Sequence, residues 1–322
     1  MKKNNTKSIA NEVIELEINA LRKLKKSISN SFDRAVHAIV KCQSKVILCG
    51  VGKSFLIASK ISSTLSSVGS PSFALPANEC AHGDLGSISK KDVLILISNS
   101  GETQELKPVI QYANRNKITL IAIVSKKNSI LFNAADIKLV IPEVKESGHG
   151  IVPTSSTTAQ LALGDALAIA SMKLKNFGKL DFKKFHPSGS LGAQLKTVED
   201  LMVTGNKIPF ISESANMKKA LKLITDKKLG VLIVLDKNKN TSGIITDGQI
   251  RRSNQKNKNL NNMTVKNVMT KNPISVQKNT LAAKALSLMN EKKITSLCVF
   301  NKNKKTTIGV IHVHMILAAN IN

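Results

Sequence analysis

The sequence contains few aromatic residues and few acids. It has no Trp and a single Tyr among 322 residues, and 48 basic residues against 21 acidic ones give a formal net charge of +27. Such a charge suggests nucleic-acid binding. The lysines, however, are spread along the chain and interleaved with Asn, as in residues 236–240 and 301–305, which we interpret as solvated turns. With so few aromatic rings on which bases could stack, we expect no nucleic-acid partner.

Cysteine and long apolar runs are also scarce. None of the cysteines forms a CxxC pair: Cys42, Cys49, Cys80 and Cys298. This pattern excludes a disulfide framework and a zinc site, and it is typical of a reducing compartment. No apolar segment follows the N-terminal lysines, and the longest apolar stretch, 161–172, is too short to span a bilayer. We therefore expect a cytoplasmic protein with no signal peptide and no membrane partner.

The apolar residues, 42% of the chain, suffice for a sizeable core, and the length fits two or three domains. Spacings of three and four residues predict one amphipathic helix over 13–32. Four short apolar runs predict strands, and helical patterns alternate with them: strands at 46–50, 93–97, 120–124 and 137–141, and helices at 54–67, 106–114 and 157–175. This alternation predicts an α/β fold with a doubly wound parallel sheet, whose ligands bind at the carboxyl ends of the strands.

An internal repeat begins after Leu195. Residues 198–202 recur as 265–269, and Gly243 recurs as Gly309. Each copy has the pattern of a helix, two strands and a closing helix, and neither copy is large enough to bury much surface alone. We therefore expect a first domain over residues 1–196 and a smaller α+β domain over residues 197–322, built from paired motifs at 198–257 and 265–322.

Two loops follow predicted strands and open predicted helices. The first, Gly50-Val-Gly-Lys-Ser54, is not a Walker loop, because Ile47 stands where the first glycine is needed, and Phe55 breaks the dinucleotide pattern. It still offers helix N-terminal amides, a hydroxyl and an ammonium group to an anion. The second loop, Ser98-Asn-Ser-Gly-Glu-Thr103, offers three hydroxyls in the same position, which suits a phosphate, although a capped serine-rich turn is the alternative.

A third polar cluster, residues 154–158, opens the long helix and offers either a further anion contact or helix capping. His82 and His186 stand in turn-rich stretches that favour function, and Glu105 and Glu146 follow strand ends. His37 is predicted on a helix, and His312 and His314 are predicted to alternate on a strand; we interpret these three as structural or solvated. The role of His149, which lies between two glycines, is left open.

Several of these motifs, in this order, resemble the arabinose-5-phosphate isomerase family, which joins a sugar isomerase (SIS) domain to two cystathionine-β-synthase (CBS) motifs. The resemblance rests on residues 50–54, 82–86, 97–103, 153–158, 164–167 and 186–192 and on the repeat after residue 197. It implies interconversion of D-arabinose 5-phosphate and D-ribulose 5-phosphate without a cofactor. That step leads towards 3-deoxy-D-manno-octulosonate for lipopolysaccharide or capsule.

The resemblance also assigns site residues. The catalytic positions are Lys53, Glu105, Glu146 and His186. The substrate-binding positions, with the loop residues beside them, are Gly52, Ser54, Gly69, Ser70, His82, Ser98, Asn99, Ser100, Thr103, Ser155 and Ser156. Isomerisation passes through an enediol, so we expect Glu146 or Glu105 to act as base, His186 to move the oxygen proton and Lys53 to stabilise the charge on oxygen. His186 is far along the chain from the loops, which suggests a neighbouring subunit as its source, and we expect a homotetramer.

Three departures from the family pattern bear on these assignments. Pro76 replaces a histidine that the family links to metal, so we predict no metal site. The segment 146–153 is one residue shorter than usual, which leaves the choice of sugar open, and Ser188 replaces a glycine after His186. In the repeat, Thr246-Asp247 matches a ribose-binding pattern, whereas the second copy has His312-Val313. We therefore expect at most one nucleotide site, or a purely oligomerising role.

Two other functions compete with this interpretation. One is a non-catalytic SIS/CBS protein that senses sugar phosphates, and the other is an isomerase of another aldose phosphate. The set of Lys53, Glu105, Glu146 and His186 favours an enzyme, and the CBS repeats favour the arabinose 5-phosphate reaction.

Overall fold

The structure is a computed structural model that describes residues 6–186, 189–256, 259–301 and 305–321. The chain divides into two compact units, Met1–Phe185 and His186–Asn322. The predicted domain boundary at residues 196–197 stays a prediction.

The described part of the first unit contains a five-stranded parallel sheet flanked by helices. Its strands are β1 (Val46–Gly50), β2 (Ser72–Pro76), β3 (Val93–Ile97), β4 (Thr119–Val124) and β5 (Ile137–Val140). Its helices are α1 (Thr6–Ser27), α2 (Asn30–Lys41), α3 (Lys53–Ser67), α4 (Ala77–Cys80), α5 (Lys107–Asn116), α6 (Ile130–Ala134), α7 (Ser155–Leu174) and α8 (Lys179–Phe185). Short 3₁₀ turns lie at Asp84–Ser87 and Gln104–Leu106.

The strand order is β2-β1-β3-β4-β5, and both faces of the sheet are buried. Alternate residues of each central strand point to opposite faces. Leu48 and Ile95 pack with α1, α2, α3 and α7, whereas Cys49 and Leu96 pack with α4, α5 and α6. Burial on both faces explains why these strands are continuous apolar runs rather than alternating ones. The predicted doubly wound parallel sheet is confirmed.

Two details of the sequence prediction are wrong. The single helix over 13–32 is two helices, because Ser29 adopts an extended backbone (φ −137°, ψ 179°) and occupies the N-cap position of α2. Strand β2 is missing from the prediction altogether. It lies at the edge of the sheet, four of its five residues are only half-buried, and it ends in a proline, so it has no apolar run to reveal it.

The second unit is built from the repeat. Its strands are β6 (Val203–Thr204), β7 (Phe210–Ser212), β8 (Val231–Leu235), β9 (Thr241–Thr246), β10 (Thr270–Lys271), β11 (Ser275–Gln277), β12 (Ser296–Phe300) and β13 (Thr307–His312). Its helices are α9 (Gly189–Gln194), α10 (Val198–Leu201), α11 (Met217–Lys227), α12 (Asp247–Lys256), α13 (Val265–Val268), α14 (Ala282–Lys292) and α15 (Val313–Ala318), with 3₁₀ turns at Gly205–Lys207 and Leu260–Asn262.

The two copies of the repeat exchange a short strand. The sheets run β10-β9-β8-β7 and β11-β12-β13-β6, so each copy lends its first short strand to the other copy's sheet. The side chain of Met269 packs directly against Gly243, and that of Met202 packs directly against Gly309. A Cβ added to either glycine would overlap the methionine sulfur. The recurring Met and Gly of the sequence repeat are therefore contacts between the copies, and they explain why the copies pack as a pair.

One further expectation fails here. His312 and His314 do not alternate on a strand, because β13 ends at His312 and α15 begins at Val313. His312 is the N-cap of this helix, and its Nδ1 accepts a hydrogen bond from the backbone N–H of His314 at 3.2 Å.

Candidate active site

The two candidate anion loops lie at one edge of the first sheet. Strand β1 pairs in parallel with β3, with Val46 opposite Val93, so the segments after Gly50 and Ile97 leave the sheet side by side. The loop after β4 is tied to them, since the N–H and hydroxyl of Ser125 donate to the carbonyl of Asn99 at 3.0 and 2.7 Å. The site therefore forms at the carboxyl ends of the strands, as the sequence predicts.

Lys53 is the first residue of α3, and its side chain is exposed. The N–H groups of the first turn of a helix have no partner within the helix and carry partial positive charge. In this loop the N–H groups of Ser54 and Phe55 already donate to the carbonyls of Val51 and Gly52, at 3.1 Å each. Lys53 and Ser54 therefore present an ammonium group and a hydroxyl at the positive end of the α3 dipole. This combination attracts an anion.

The Ser98–Thr103 loop is held by its own hydroxyls. Ser98 is buried, its Oγ accepts from the N–H of Gly101 at 3.0 Å, and it lies 2.7 Å from Thr103 Oγ1. Ser100 Oγ accepts from the N–H of Glu102 at 3.2 Å. Gly101 has a φ of +71°, and an added Cβ would overlap the Ser129 hydroxyl. Ser98 thus shapes the loop, whereas the half-buried Ser100 and Thr103 are the better placed for a phosphate.

Glu102 has a separate structural role. Its Oε1 accepts from the N–H of Ile130 at 2.9 Å, at the first residue of α6. The Glu102 carboxylate therefore binds the N-terminus of α6.

Glu146 lies between β5 and α7, and its carboxylate meets the N-terminus of α7. Oε2 accepts from the N–H of Thr154 at 2.9 Å and from its hydroxyl at 3.3 Å, and Oε1 accepts from the N–H of Ser156 at 3.3 Å. Burial raises the pKa of the Glu146 carboxyl, but hydrogen bonds from Ser156 and Thr154 outweigh burial and hold that pKa below its ordinary value. The group is therefore an anion at neutral pH.

These parts surround a cavity of about 370 Å³, here called the Lys53 cleft. It is lined by Val51, Lys53, Ser54, Asn99, Glu146, Ile151, Pro153, Ser156, Thr157 and Gln160. The structure thus brings together a cation from the first loop, an amide from the second and a carboxylate from the segment before α7. The sequence predicts Asn99 only as a part of its loop, and no motif in it points to Gln160.

Seven predicted site residues belong to the same edge but do not line this cleft: Gly52, His82, Ser98, Ser100, Thr103, Glu105 and Ser155. Glu105 is exposed on the 3₁₀ turn before α5, and His82 is exposed in the turn after α4. Ser155 is fully buried, and its hydroxyl has no hydrogen-bond partner among the described residues.

Gly69 and Ser70 lie at the opposite end of the sheet. They precede β2, next to the point where the N–H of Val46 donates to the carbonyl of Pro71. A five-residue strand separates this end from the loops by about 15 Å. Lys175 Nζ donates to the carbonyl of Gly69 at 3.1 Å and to Ser70 Oγ at 2.7 Å. Within one copy of the chain, the structure does not bring this pair to the Lys53 cleft. The family motif assigns both residues to the site but does not say where in the fold they lie.

His186 follows α8 and is the first residue of the second unit. It is half-buried. Pro187 and Ser188, which follow it in the predicted motif, lie outside the described residues.

The second unit has a cavity of its own, of about 540 Å³, here called the Asp247 cavity. Thr246 and Asp247 contribute to it from the first copy of the repeat, and His312 from the second. Burial and the nearby His314 lower the pKa of His312, while the Asp247 carboxylate raises it, and the net direction is downward. Arg251, Arg252 and Lys293 also line the cavity. A carboxylate and several cations therefore face one space.

Among the described residues, no group of three or more His, Cys, Asp or Glu side chains is placed to hold a metal ion. In the same part of the chain, no helix has the length and apolar character to cross a membrane.

Comparison with known proteins agrees with this architecture. Residues 39–170 match the SIS domain family, and residues 198–255 and 265–322 each match the CBS domain family. The arabinose 5-phosphate isomerase KdsD of Yersinia pestis is 41% identical over 312 residues, which cover 96% of this chain and 94% of that protein. The chain belongs to the arabinose 5-phosphate isomerase family. The family member from Escherichia coli strain K12 is 39% identical over the same length.

Two solved structures resemble the first unit of this family member. An E. coli CFT073 protein in complex with arabinose 5-phosphate is 36% identical, with a TM-score of 0.56, and covers 58% of this chain and 100% of its own. A putative phosphosugar isomerase involved in capsule formation from Bacteroides fragilis is 31% identical, with a TM-score of 0.54, and covers 56% and 97%. The resemblance stated from the motifs is thus confirmed as family membership.

Proposed function

We propose that this protein interconverts D-arabinose 5-phosphate and D-ribulose 5-phosphate. The observation that carries the proposal is the Lys53 cleft, in which Lys53 and the ionised Glu146 face one cavity at the carboxyl ends of the strands. The near full-length relatives named as arabinose 5-phosphate isomerases support the choice of substrate. The isomerisation would supply a precursor for 3-deoxy-D-manno-octulosonate synthesis for lipopolysaccharide or capsule, in keeping with the capsule-formation relative.

Glu146 acts as the base in this proposal. Its carboxylate removes the proton from C2 of the open-chain aldose and returns it to C1, while the oxygen proton moves from O2 to O1 through His186. Lys53 stabilises the negative charge of the enediolate oxygen. Glu146 is preferred to Glu105 because it lines the cleft, whereas Glu105 does not.

The depressed pKa of Glu146 has two consequences for this role. It keeps the carboxylate ionised at neutral pH, which a base requires, but it lowers the driving force for proton removal. A phosphate dianion bound in the same cleft opposes the second effect, because a neighbouring negative charge raises the pKa of a carboxyl group. The substrate thus strengthens the base that acts on it.

The phosphate is bound in this proposal by the N–H groups of Gly52 and Lys53, by the Ser54 hydroxyl and by the hydroxyls of Ser100 and Thr103. His82 contacts the sugar from the turn after α4. His186 and Gly69 reach the site from a neighbouring subunit of a cytoplasmic homotetramer. Ser70, at 1% exposure, supports Gly69 from behind through their shared contact with Lys175. Large apolar side chains on the first unit are exposed and support self-association, with Leu56 at 66% and Ile151 at 77%.

A panel of aldose phosphates tests the substrate. Purified protein is mixed with D-arabinose 5-phosphate, D-ribose 5-phosphate and D-glucose 6-phosphate, and ketose formation is followed. We expect turnover on the arabinose compound and a large loss in the His186→Ala variant. Turnover only on another aldose phosphate would keep the reaction class and reject the substrate.

For the second unit, we propose one nucleotide site in the Asp247 cavity. A carboxylate can accept from both ribose hydroxyls, and the Arg251, Arg252 and Lys293 cations suit phosphates. The proposal is supported by the position of Thr246 and Asp247 in the cavity wall. A rise in melting temperature with AMP, ADP or ATP checks it.

A further inference from the structure

Gln160 carries a buried carbonyl oxygen that the described residues leave without a partner. It lies in the second turn of α7, its exposed fraction is 1%, and no described group donates a hydrogen bond to its Oε1. Leaving a buried carbonyl oxygen unpaired is destabilising, because the group has lost its water and gained no donor in exchange. Such a group in a cavity wall usually has a partner that arrives with the ligand or with water.

The position of Gln160 connects it to the Lys53 cleft. Gln160 lies four residues after Ser156, so the two side chains share one face of α7, and both line the cleft. The N–H of Ser156 donates to the carboxylate of Glu146. The Glu146 carboxylate and the Gln160 side chain therefore stand along one wall, one helical turn apart.

The two walls of the cleft differ in chemistry. Lys53 and Ser54 offer donors and positive charge, whereas Glu146 and Gln160 Oε1 offer acceptors. Thr157 Oγ1 on this wall gives its hydrogen to the carbonyl of Thr154 at 2.9 Å, so it too can only accept from a ligand. The dianion of a phosphate monoester has no hydrogen to give to such acceptors, so it belongs at the donor wall. The acceptor wall suits the hydroxyls of the sugar chain.

We propose that Gln160 is a specificity-determining residue of the Lys53 cleft: its buried amide turns about the last side-chain torsion when the sugar phosphate binds, and Oε1 then accepts a hydrogen bond from a sugar hydroxyl. The proposal rests on the sugar-phosphate function and adds an orientation to it. The phosphate lies towards Ser54, and the hydroxylated chain runs past the Lys53 ammonium along α7. A substrate that lacks the hydroxyl leaves Gln160 unpaired and is disfavoured for that reason.

Gln160→Leu tests the proposal, with Gln111→Leu as its matched control, because Gln111 is exposed on α5. The ligands are D-arabinitol 5-phosphate, which binds without reacting, and inorganic phosphate. We expect Gln160→Leu to weaken arabinitol phosphate binding and to lower kcat/KM on D-arabinose 5-phosphate by about 10- to 100-fold. Phosphate binding should stay unchanged, and Gln111→Leu should change neither.

The melting temperature of the unliganded protein separates this role from a structural one. Replacing an unpaired buried polar atom by an apolar group of similar size is neutral or stabilising, so Gln160→Leu should melt at or above the wild-type temperature. A lower melting temperature with equal loss of both ligands would show a structural role and overturn the proposal. If Gln160→Leu does not fold, Gln160→Met provides the same comparison.

Deoxy substrates complete the test. Wild-type protein should lose kcat/KM on either 3-deoxy- or 4-deoxy-arabinose 5-phosphate, and Gln160→Leu should show no further loss on that same compound. Unchanged arabinitol phosphate binding in Gln160→Leu would overturn the inference about Gln160. Wild-type protein that binds arabinitol phosphate but turns over no aldose phosphate would instead reject the proposed isomerase, while the binding comparison still decides the role of Gln160.

Discussion

The exchange Glu146→Gln separates the two roles of this carboxylate. In the wild-type protein the carboxylate accepts the N–H groups of Thr154 and Ser156 at the start of α7. The amide retains one acceptor oxygen but loses the charge, so one capping contact and the interaction with the helix dipole are lost. Each is worth roughly 1 kcal/mol, so we expect the free energy of unfolding of the first unit to fall by about 1–2 kcal/mol.

That loss corresponds to a modest change in melting temperature. For a unit of this size, 1 kcal/mol shifts the melting temperature by about 2–4 °C, so the variant should melt about 2–8 °C lower. Catalysis should change far more, because a positioned base contributes about 10²–10⁴-fold. We therefore expect kcat to fall at least 100-fold while D-arabinitol 5-phosphate still binds.

Glu143→Gln is the matched control, since Glu143 is exposed and outside the Lys53 cleft. We expect its melting temperature and its kcat to match the wild type. Glu105→Gln tests the alternative base, and all three variants are assayed by ketose formation from D-arabinose 5-phosphate. If Glu146→Gln keeps a tenth or more of the wild-type kcat while Glu105→Gln loses 100-fold, the assignment of the base is refuted.

Three further predictions concern Gly101, the titration of Glu146 and the role of Asp247. Gly101→Ala should raise KM for the sugar phosphate about tenfold or more, since left-handed backbone alone costs about 1–2 kcal/mol and the Cβ overlaps Ser129; Gly178→Ala, where an added Cβ meets only an ordinary contact, should leave KM unchanged. The depressed pKa of Glu146 stabilises the fold above the ordinary carboxyl value of about 4.3 and ceases to do so as the pH falls through the folded-state pKa. The melting temperatures of wild type and Glu146→Gln should therefore converge below that pH, and a constant difference down to pH 3 would contradict it. Asp247→Ala should abolish the stabilisation by AMP expected in the wild type, measured by thermal shift, and an undiminished shift would place the nucleotide elsewhere.

The sequence shows the central strands and the loops that follow them because burial on both faces leaves a distinct pattern. Val46–Gly50 and Val93–Ile97 are continuous apolar runs, and each ends in small polar residues where a helix must start. Strand Ser72–Pro76 escapes detection because it lies at the edge and needs no such run. The short strands that the two repeats exchange escape for a similar reason, since their partners lie far along the chain.

The site was predictable in its residue types but not in its grouping. Motif order pointed to Lys53 and Glu146, and the structure places both in one cleft. Motif order could not show that Gly69 and Ser70 lie at the other end of the sheet, because their place depends on how β2 pairs at the sheet edge. Gln160 was hidden because α7 is apolar nearly all round, so spacing alone does not reveal which of its faces meets the cleft.

Solvent hydrogen exchange tests the central claim most directly. Purified protein is incubated with D-arabinose 5-phosphate in D₂O, and the products are followed by NMR. An isomerase that moves a proton through Glu146 should form D-ribulose 5-phosphate with deuterium at C1, and Glu146→Gln should suppress both ketose formation and deuterium incorporation. A wild-type protein that binds the sugar phosphate but yields neither ketose nor deuterium would contradict the account and identify a sensor instead.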